Sequence, residues 1–138
     1  MPRVCILGLD GLEPALALGT LAAHMPRLQE LAERGTATRL RSCFPPITVP
    51  AWACMMTGRD PGELGLYGFR ERSSTNAYGA HRLASSLSVR APTLASLASR
   101  AGHWVRVIGV PPAYPPKPVL GSLVSCFLTP AGARPFTY

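Results

Sequence analysis

Apolar residues along this chain come in short blocks separated by glycine and proline, and the blocks differ in period. Residues 4–9, Val-Cys-Ile-Leu-Gly-Leu, form a continuous apolar run closed by Asp10 and Gly11. That is the pattern of a buried parallel strand ending in a loop. From Pro14 to about Ala23 the residues are mostly Ala and Leu, which predicts a helix entered at Pro14 and weakened by Gly19. Leu28, Leu31 and Ala32 share one face of a second helix that opens at Pro26 and closes at Gly35. Residues 36–42 alternate loosely, as a strand would.

Cys43-Phe44-Pro45-Pro46-Ile47 excludes regular structure, because the paired prolines lack donors and restrict the residues before them. The loop delivers Thr48, and a helix is predicted from Pro50 through Thr57 to a stop at Gly58. Residues 59–91 are rich in Gly, Ser, Arg and Asn and read as a long irregular surface segment. A helix over residues 92–101 capped by Gly102, a strand over 104–110, a proline-rich connection and a last strand near 123–127 complete the order. Strand, helix, helix, strand, helix, helix, strand, strand is the order of a layered α/β domain with a largely parallel sheet. In an open sheet of that kind ligands bind at the carboxyl ends of the strands, the edge where Asp10 falls.

Composition narrows the function classes. At 138 residues and 47% hydrophobic content the chain can bury one ordinary core and is too short for two enzymatic domains. A net charge of +7 suits an anionic partner, yet the arginines are scattered with no basic run interleaved with aromatics, so no dedicated nucleic-acid surface is expected. A small phosphate-bearing substrate fits the same charge. Cys5, Cys43, Cys54 and Cys126 have neither zinc-clamp nor disulfide-framework spacing. They read as reduced, mostly buried thiols, which favours a cytoplasmic setting. The first apolar run is too short for a signal peptide, and no segment reaches membrane-spanning length.

Two residues carry candidate chemistry. Asp10, at a strand end and flanked by Gly8 and Gly11, can present a hard oxygen ligand to a divalent cation; it equally suits a cap of the following turn. Thr48, ahead of a helix whose opening N–H groups lack partners, can attack a phosphate held at that terminus; it equally suits an N-cap. Trp52, Met55, Met56 and Trp104 read as core residues. His24 near a helix end, His81 on a loop and His103 at a strand entrance read as structural or exposed rather than as ligands.

Residues 4–11 (VCILGLDG), 25–35 (MPRLQELAERG), 44–58 (FPPITVPAWACMMTG) and 61–69 (PGELGLYGF) together resemble the opening of the type I phosphodiesterase and nucleotide pyrophosphatase family of the alkaline phosphatase superfamily. The most specific stretch is Thr-x-Pro and Thr-Gly within residues 48–58. The resemblance implies an alkaline-phosphatase-like α/β/α fold and a hydrolase acting on phosphodiester or nucleotide pyrophosphate bonds. It further implies two divalent metal ions, zinc by expectation, with Asp10 as a metal ligand and Thr48 as both metal ligand and nucleophile of a phosphothreonyl intermediate. Sulfatases, a related branch, need C/S-x-P-x-R; here Trp52 stands in the arginine's place.

Two departures qualify what carries over. Where nucleotide pyrophosphatases have a phosphoryl-binding asparagine, this chain has Phe69, with Arg70 and Arg72 as the nearby cations. The family's later Asp and His ligands, including an Asp-His-Gly step, are absent, and residues 130–138 look loop-like with no closing element. Residues 1–138 are therefore expected to be the N-terminal part of one catalytic domain. Alternatives of other classes are a non-catalytic, anion-binding fragment and a phosphomonoesterase or phosphomutase of the same superfamily.

Overall fold

In the computed structural model, which describes residues 3–72, 79 and 81–137, the chain divides into two units, Met1–Arg41 and Ser42–Tyr138. The first is built from local helical turns. Its chain turns helical at Pro14, widens into a π-helical stretch Leu16–Thr20 containing Gly19, and tightens into a 3-10 turn Ala22–His24. The Ala/Leu-rich segment is thus helical but irregular. Helix α1, Pro26–Arg34, has Pro26 in its first turn, as its missing N–H allows. Gln29 Nε2 donates to the Ala17 carbonyl at 2.9 Å and ties α1 to the π-helical stretch.

The apolar run 4–9 forms no strand among the described residues: Val4 and Leu7 are 87% and 83% exposed. A strand stands only when a neighbour takes its N–H and C=O groups. The described remainder of this unit is helical or irregular, so it offers no ladder. The alternating residues 36–42 form no strand for the same reason.

The second unit begins with helix α2, Thr48–Thr57. Gly58, at φ 68°, ends it with the Gly58 N–H on the Cys54 carbonyl at 2.8 Å; left-handed backbone costs glycine nothing. Val49 and Ala53 lie one helical turn apart and enter a core with Leu66, Ala84 and Val89. Val49 and Leu66 have no solvent exposure at all, and burying side chains of that size stabilises by roughly 1.5–3 kcal/mol each.

Residues 59–91 correct the expectation of an irregular surface segment. Asp60 and Glu63 form a capping box: the Glu63 N–H donates to Asp60 Oδ1 at 2.9 Å, and the Asp60 N–H to Glu63 Oε2 at 3.2 Å. This starts the one-turn helix α3, Pro61–Leu64, closed by Gly65. Strands β1 (Arg70–Arg72) and β2 (His81–Leu83) then pair antiparallel, Arg70 opposite Leu83. Leu66, Ala84, Ser86, Ser88 and Val89 are buried. Residues 73–78 and 80, also within the predicted loop, lie outside the described residues.

Helix α4, Leu94–Arg100, is capped by the Thr93 side chain, which accepts from the Ser96 N–H at 3.2 Å. Its end is a Schellman turn: His103 N–H donates to the Ala98 carbonyl and Gly102 N–H to that of Ser99, both at 3.0 Å. Strand β3, Val105–Ile108, follows and runs parallel to β4, Gly121–Val124, with Val105 opposite Gly121 and Ile108 opposite Val124. A Cβ on Gly121 would sit 2.1 Å from the Val105 carbonyl oxygen, so only glycine lets the strands meet there. Phe136–Thr137, the short β5, pairs antiparallel with β4 and gives the loop-like ending a closing strand.

The fold class is therefore mixed α/β, with helices and small sheets, one of which contains a parallel pair. Three apolar expectations are corrected. Trp104 is 76% exposed and Met55 is exposed, because Trp104 precedes the ladder and Met55 lies off the Val49–Ala53 face. Of the four thiols, Cys126 is buried, Cys43 and Cys54 are half-buried and Cys5 is exposed.

The core of the second unit yields a direct test. Leu66→Ala removes three carbons' worth of packing against Val49 and Val89 and should destabilise the protein by about 2–5 kcal/mol, read as a lower urea midpoint with unchanged slope. A loss well under that range would show that Leu66 is not central to the core.

Candidate functional site

The loop before α2 is built by its own sequence. Ile47 is extended, at φ −110° and ψ 146°, and occupies the N-cap position. Its N–H donates to the Pro45 carbonyl at 2.9 Å, and its carbonyl accepts from the Ala51 N–H at 3.0 Å. The Cys43 thiol donates to the same Pro45 carbonyl at 3.3 Å. The proline pair thus sits in a short hydrogen-bonded arch, with Phe44 88% exposed on its outer side.

Thr48 is half-buried and is the first residue of α2. The N-cap reading of Thr48 is corrected here, because that position belongs to Ile47, which makes no side-chain cap. The next two residues, Val49 and Pro50, are among the most buried of the molecule. Pro50 also has no N–H, so it removes one of the unpaired donors that a helix start would carry. Thr48 therefore stands where the helix dipole is positive, on a backbone clamped directly behind it.

Asp10 occupies an exposed turn that continues into Gly11, at φ 70°. Asp10 belongs to the first unit and Thr48 to the second. His24 ends the 3-10 turn and is exposed. His81, predicted on a loop, is in strand β2, with Nδ1 3.0 Å from the Gly79 carbonyl. His103 is exposed at the entrance to β3, as expected. Arg70 and Arg72 are both exposed on β1. Phe69 stacks with Phe127 at 6.3 Å between centroids and 54° between planes, a tilted arrangement that aromatic quadrupoles favour.

Among the described residues, no group of three or more His, Cys, Asp or Glu side chains is placed to hold a metal ion. A catalytic zinc takes three protein ligands and a water. The described side chains do not by themselves make up a two-metal centre.

Two thiols that residue spacing did not pair meet at α2. The Cys54 thiol is raised from 9.0 to about 11, first by burial, then by the charge and hydrogen bonding of Cys43, with Asp60 adding to it. Cys43 precedes the Pro45–Pro46 arch and Cys54 lies in α2, so their contact ties the arch to the helix. The signal was legible only as two apolar-context cysteines eleven positions apart across a turn that no pattern rule predicts.

A folded-state value above the unfolded one means that the folded protein holds this proton more tightly. The stabilisation is complete below pH 9 and is lost as pH rises through the folded value. Thermal midpoints of the wild type should accordingly decline between pH 9 and 11, and Cys54→Ser, which does not titrate there, should flatten the decline. Parallel wild-type and variant curves would remove Cys54 as the cause.

No curated protein and no solved structure matches the chain. The model of the family described as type I phosphodiesterase / nucleotide pyrophosphatase matches residues 4–137, a span that takes in the Asp10 turn, the proline arch, α2 and the β3–β4–β5 sheet. No helix among the described residues is long and apolar enough to cross a membrane. With the match extending over nearly every residue from Val4 onward, the chain belongs to the type I phosphodiesterase/nucleotide pyrophosphatase family.

Proposed function

We propose that the complete protein hydrolyses phosphodiester or nucleotide pyrophosphate bonds, with Thr48 as nucleophile. The observation that carries the reading is Thr48 itself: a half-buried hydroxyl in the first turn of a helix whose next two residues are fixed in the core, within a chain of this family. A phosphoryl group docked there faces the positive end of the α2 dipole. Clamping by Val49 and Pro50 supplies positioning, which is most of what phosphoryl transfer asks of a protein.

In the proposed reaction the Thr48 oxygen attacks phosphorus in line, forming the O–P bond as the ester or pyrophosphate oxygen departs. The hydroxyl proton passes to solvent, and the departing oxygen takes a proton in turn. Water then attacks the phosphothreonine, releasing the phosphoryl product and regenerating the hydroxyl. Threonine at this position, with Trp52 four residues on, keeps sulfate-ester chemistry out of the proposal.

Metal dependence belongs to the same proposal, with Asp10 and Thr48 as the ligands that this stretch contributes and zinc as the metal. Bound metal lowers the proton affinity of a coordinated hydroxyl and stabilises a leaving oxygen. Because the described side chains do not complete such a centre, no step above is routed through it. A cytoplasmic location and a small nucleotide or phosphate-ester substrate complete the reading.

Hydrolysis of bis(p-nitrophenyl) phosphate in the presence of zinc, manganese or magnesium tests it. Thr48→Ala should lower turnover by roughly 10³-fold or more, and acid-quenched wild type should carry phosphate on Thr48 by peptide mass spectrometry. Full turnover by Thr48→Ala, or no hydrolysis by the wild type with any of the three metals, overturns the assignment.

A further inference from the structure

Behind β3 the second unit encloses a cavity of about 210 Å³ that the proposed phosphoryl chemistry does not use. Its wall is apolar, with Met56 of α2, Val107 of β3, Leu123 of β4, and Val110 and Val119 from the proline-rich connection. Three cations line it as well, Arg90, Arg100 and Lys117, and no Asp or Glu does. All three are exposed as residues, which puts their charges at the mouth of the cavity and the apolar wall inside.

Among the described residues the three charges have no acidic partner. Among the described residues, ion pairs join Arg27 and Arg34 to Glu30, Arg59 to Glu63 and Arg82 to Glu71; Arg90, Arg100 and Lys117 take part in none. Lys117 Nζ donates to the Val89 carbonyl at 2.8 Å, which uses one of its three donors. Partial burial of the ammonium pushes its proton affinity below the ordinary lysine value. An anion at the mouth would reverse that penalty.

Each hydroxyl that lines the cavity has a protein partner. Ser86 Oγ donates to the Pro115 carbonyl at 2.5 Å, Thr93 Oγ1 accepts the Ser96 N–H, and Ser96 Oγ donates to the Thr93 carbonyl at 2.8 Å. The charged groups of the site are therefore all cationic, with the Thr93 hydroxyl as a further neutral donor. Lys117 is also the sole lysine of the chain, where the other thirteen of the 14 Lys and Arg side chains are arginine. An ammonium is a compact charge able to turn toward either the Val89 carbonyl or a ligand, which a planar guanidinium does less readily.

Size sets the ligand class. A dry cavity of about 150 Å³ holds benzene, so this one has room for one ring or a short chain, and it is below the roughly 300 Å³ at which drug-sized sites begin. We infer that this cavity binds a small amphipathic carboxylate, its apolar body against Met56, Val107 and Leu123 and its head group on Lys117, with Arg90 and Arg100 flanking. The site is independent of the Thr48 assignment.

Acylation of Lys117 by an activated acetyl ester, followed by peptide mass spectrometry with Nα-acetyl-lysine as internal standard, tests the inference on the unaltered protein. Benzoate at about ten times its dissociation constant should slow Lys117 acylation about tenfold, while benzyl alcohol and acetate at the same concentration leave it unchanged. Calorimetry should show benzoate binding lost in Lys117→Met and weakened in Arg100→Gln. No protection by benzoate overturns the inference. So does equal protection by benzyl alcohol, which would mean no selection of the head group, or by acetate, which would mean a surface ion pair without the cavity.

Discussion

The seating of α2 organises the second unit. Val49 and Ala53 project from one face of the helix into the small cluster formed with Leu66, Ala84 and Val89, and each of those partners lies on a different piece of chain: the turn after α3, the end of the hairpin and the approach to α4. Removing the helix would expose Leu66, Ala84 and Val89, which bury their apolar surface against it. The same seating fixes the backbone at Thr48, one residue before Val49. Stability and the placement of the proposed nucleophile thus rest on the same few contacts.

Polar interactions extend that arrangement at both ends of α2. At its start the Cys43 thiol and the Ile47 N–H converge on the Pro45 carbonyl, so the proline arch is held without a side-chain cap. Beyond its end Arg59 and Glu63 pair across the turn at 2.9 Å, an exposed contact worth little energy, whereas the Asp60–Glu63 box satisfies backbone donors that would otherwise lack partners. Glu71, less exposed than its partner Arg82, accepts from both Arg82 Nε at 2.7 Å and Ser88 Oγ at 2.6 Å. The Arg82 bond holds β1 to β2, and the Ser88 bond joins them to the segment carrying Val89, and so to the wall of the cavity that Lys117 borders.

Much of the local structure was legible in the sequence, and where it was, the reason is punctuation. Pro26 at the start of α1, Gly58 at the end of α2, Gly102 after α4 and the proline-rich connection each act through their own backbone, whatever surrounds them. The family resemblance was legible too, since the Thr-x-Pro step and the Asp-Gly turn lie in contiguous stretches. Residues 59–91 were misread because a count of apolar residues missed two local signals: Asp60 three residues before Glu63, and a hairpin whose strands are only three residues long. Trp104 shows the opposite: its size suggests burial, yet it is largely exposed just before β3.

What the sequence alone determined is the location of helix starts and stops, the mixed α/β class and the candidacy of Asp10 and Thr48, all of which depend on neighbours in the chain. Only the tertiary structure decided which apolar runs find a partner. Residues 4–9 are the more continuous apolar run and 105–108 carry Arg106, yet among the described residues only the second meets a strand, because the Gly121 backbone can approach Val105 closely enough to bond. The Cys43–Cys54 contact and the gathering of Arg90, Arg100 and Lys117 around one apolar cavity belong to the same category. Each depends on side chains brought together across a turn or across separate elements, and no periodicity along the chain encodes such distances.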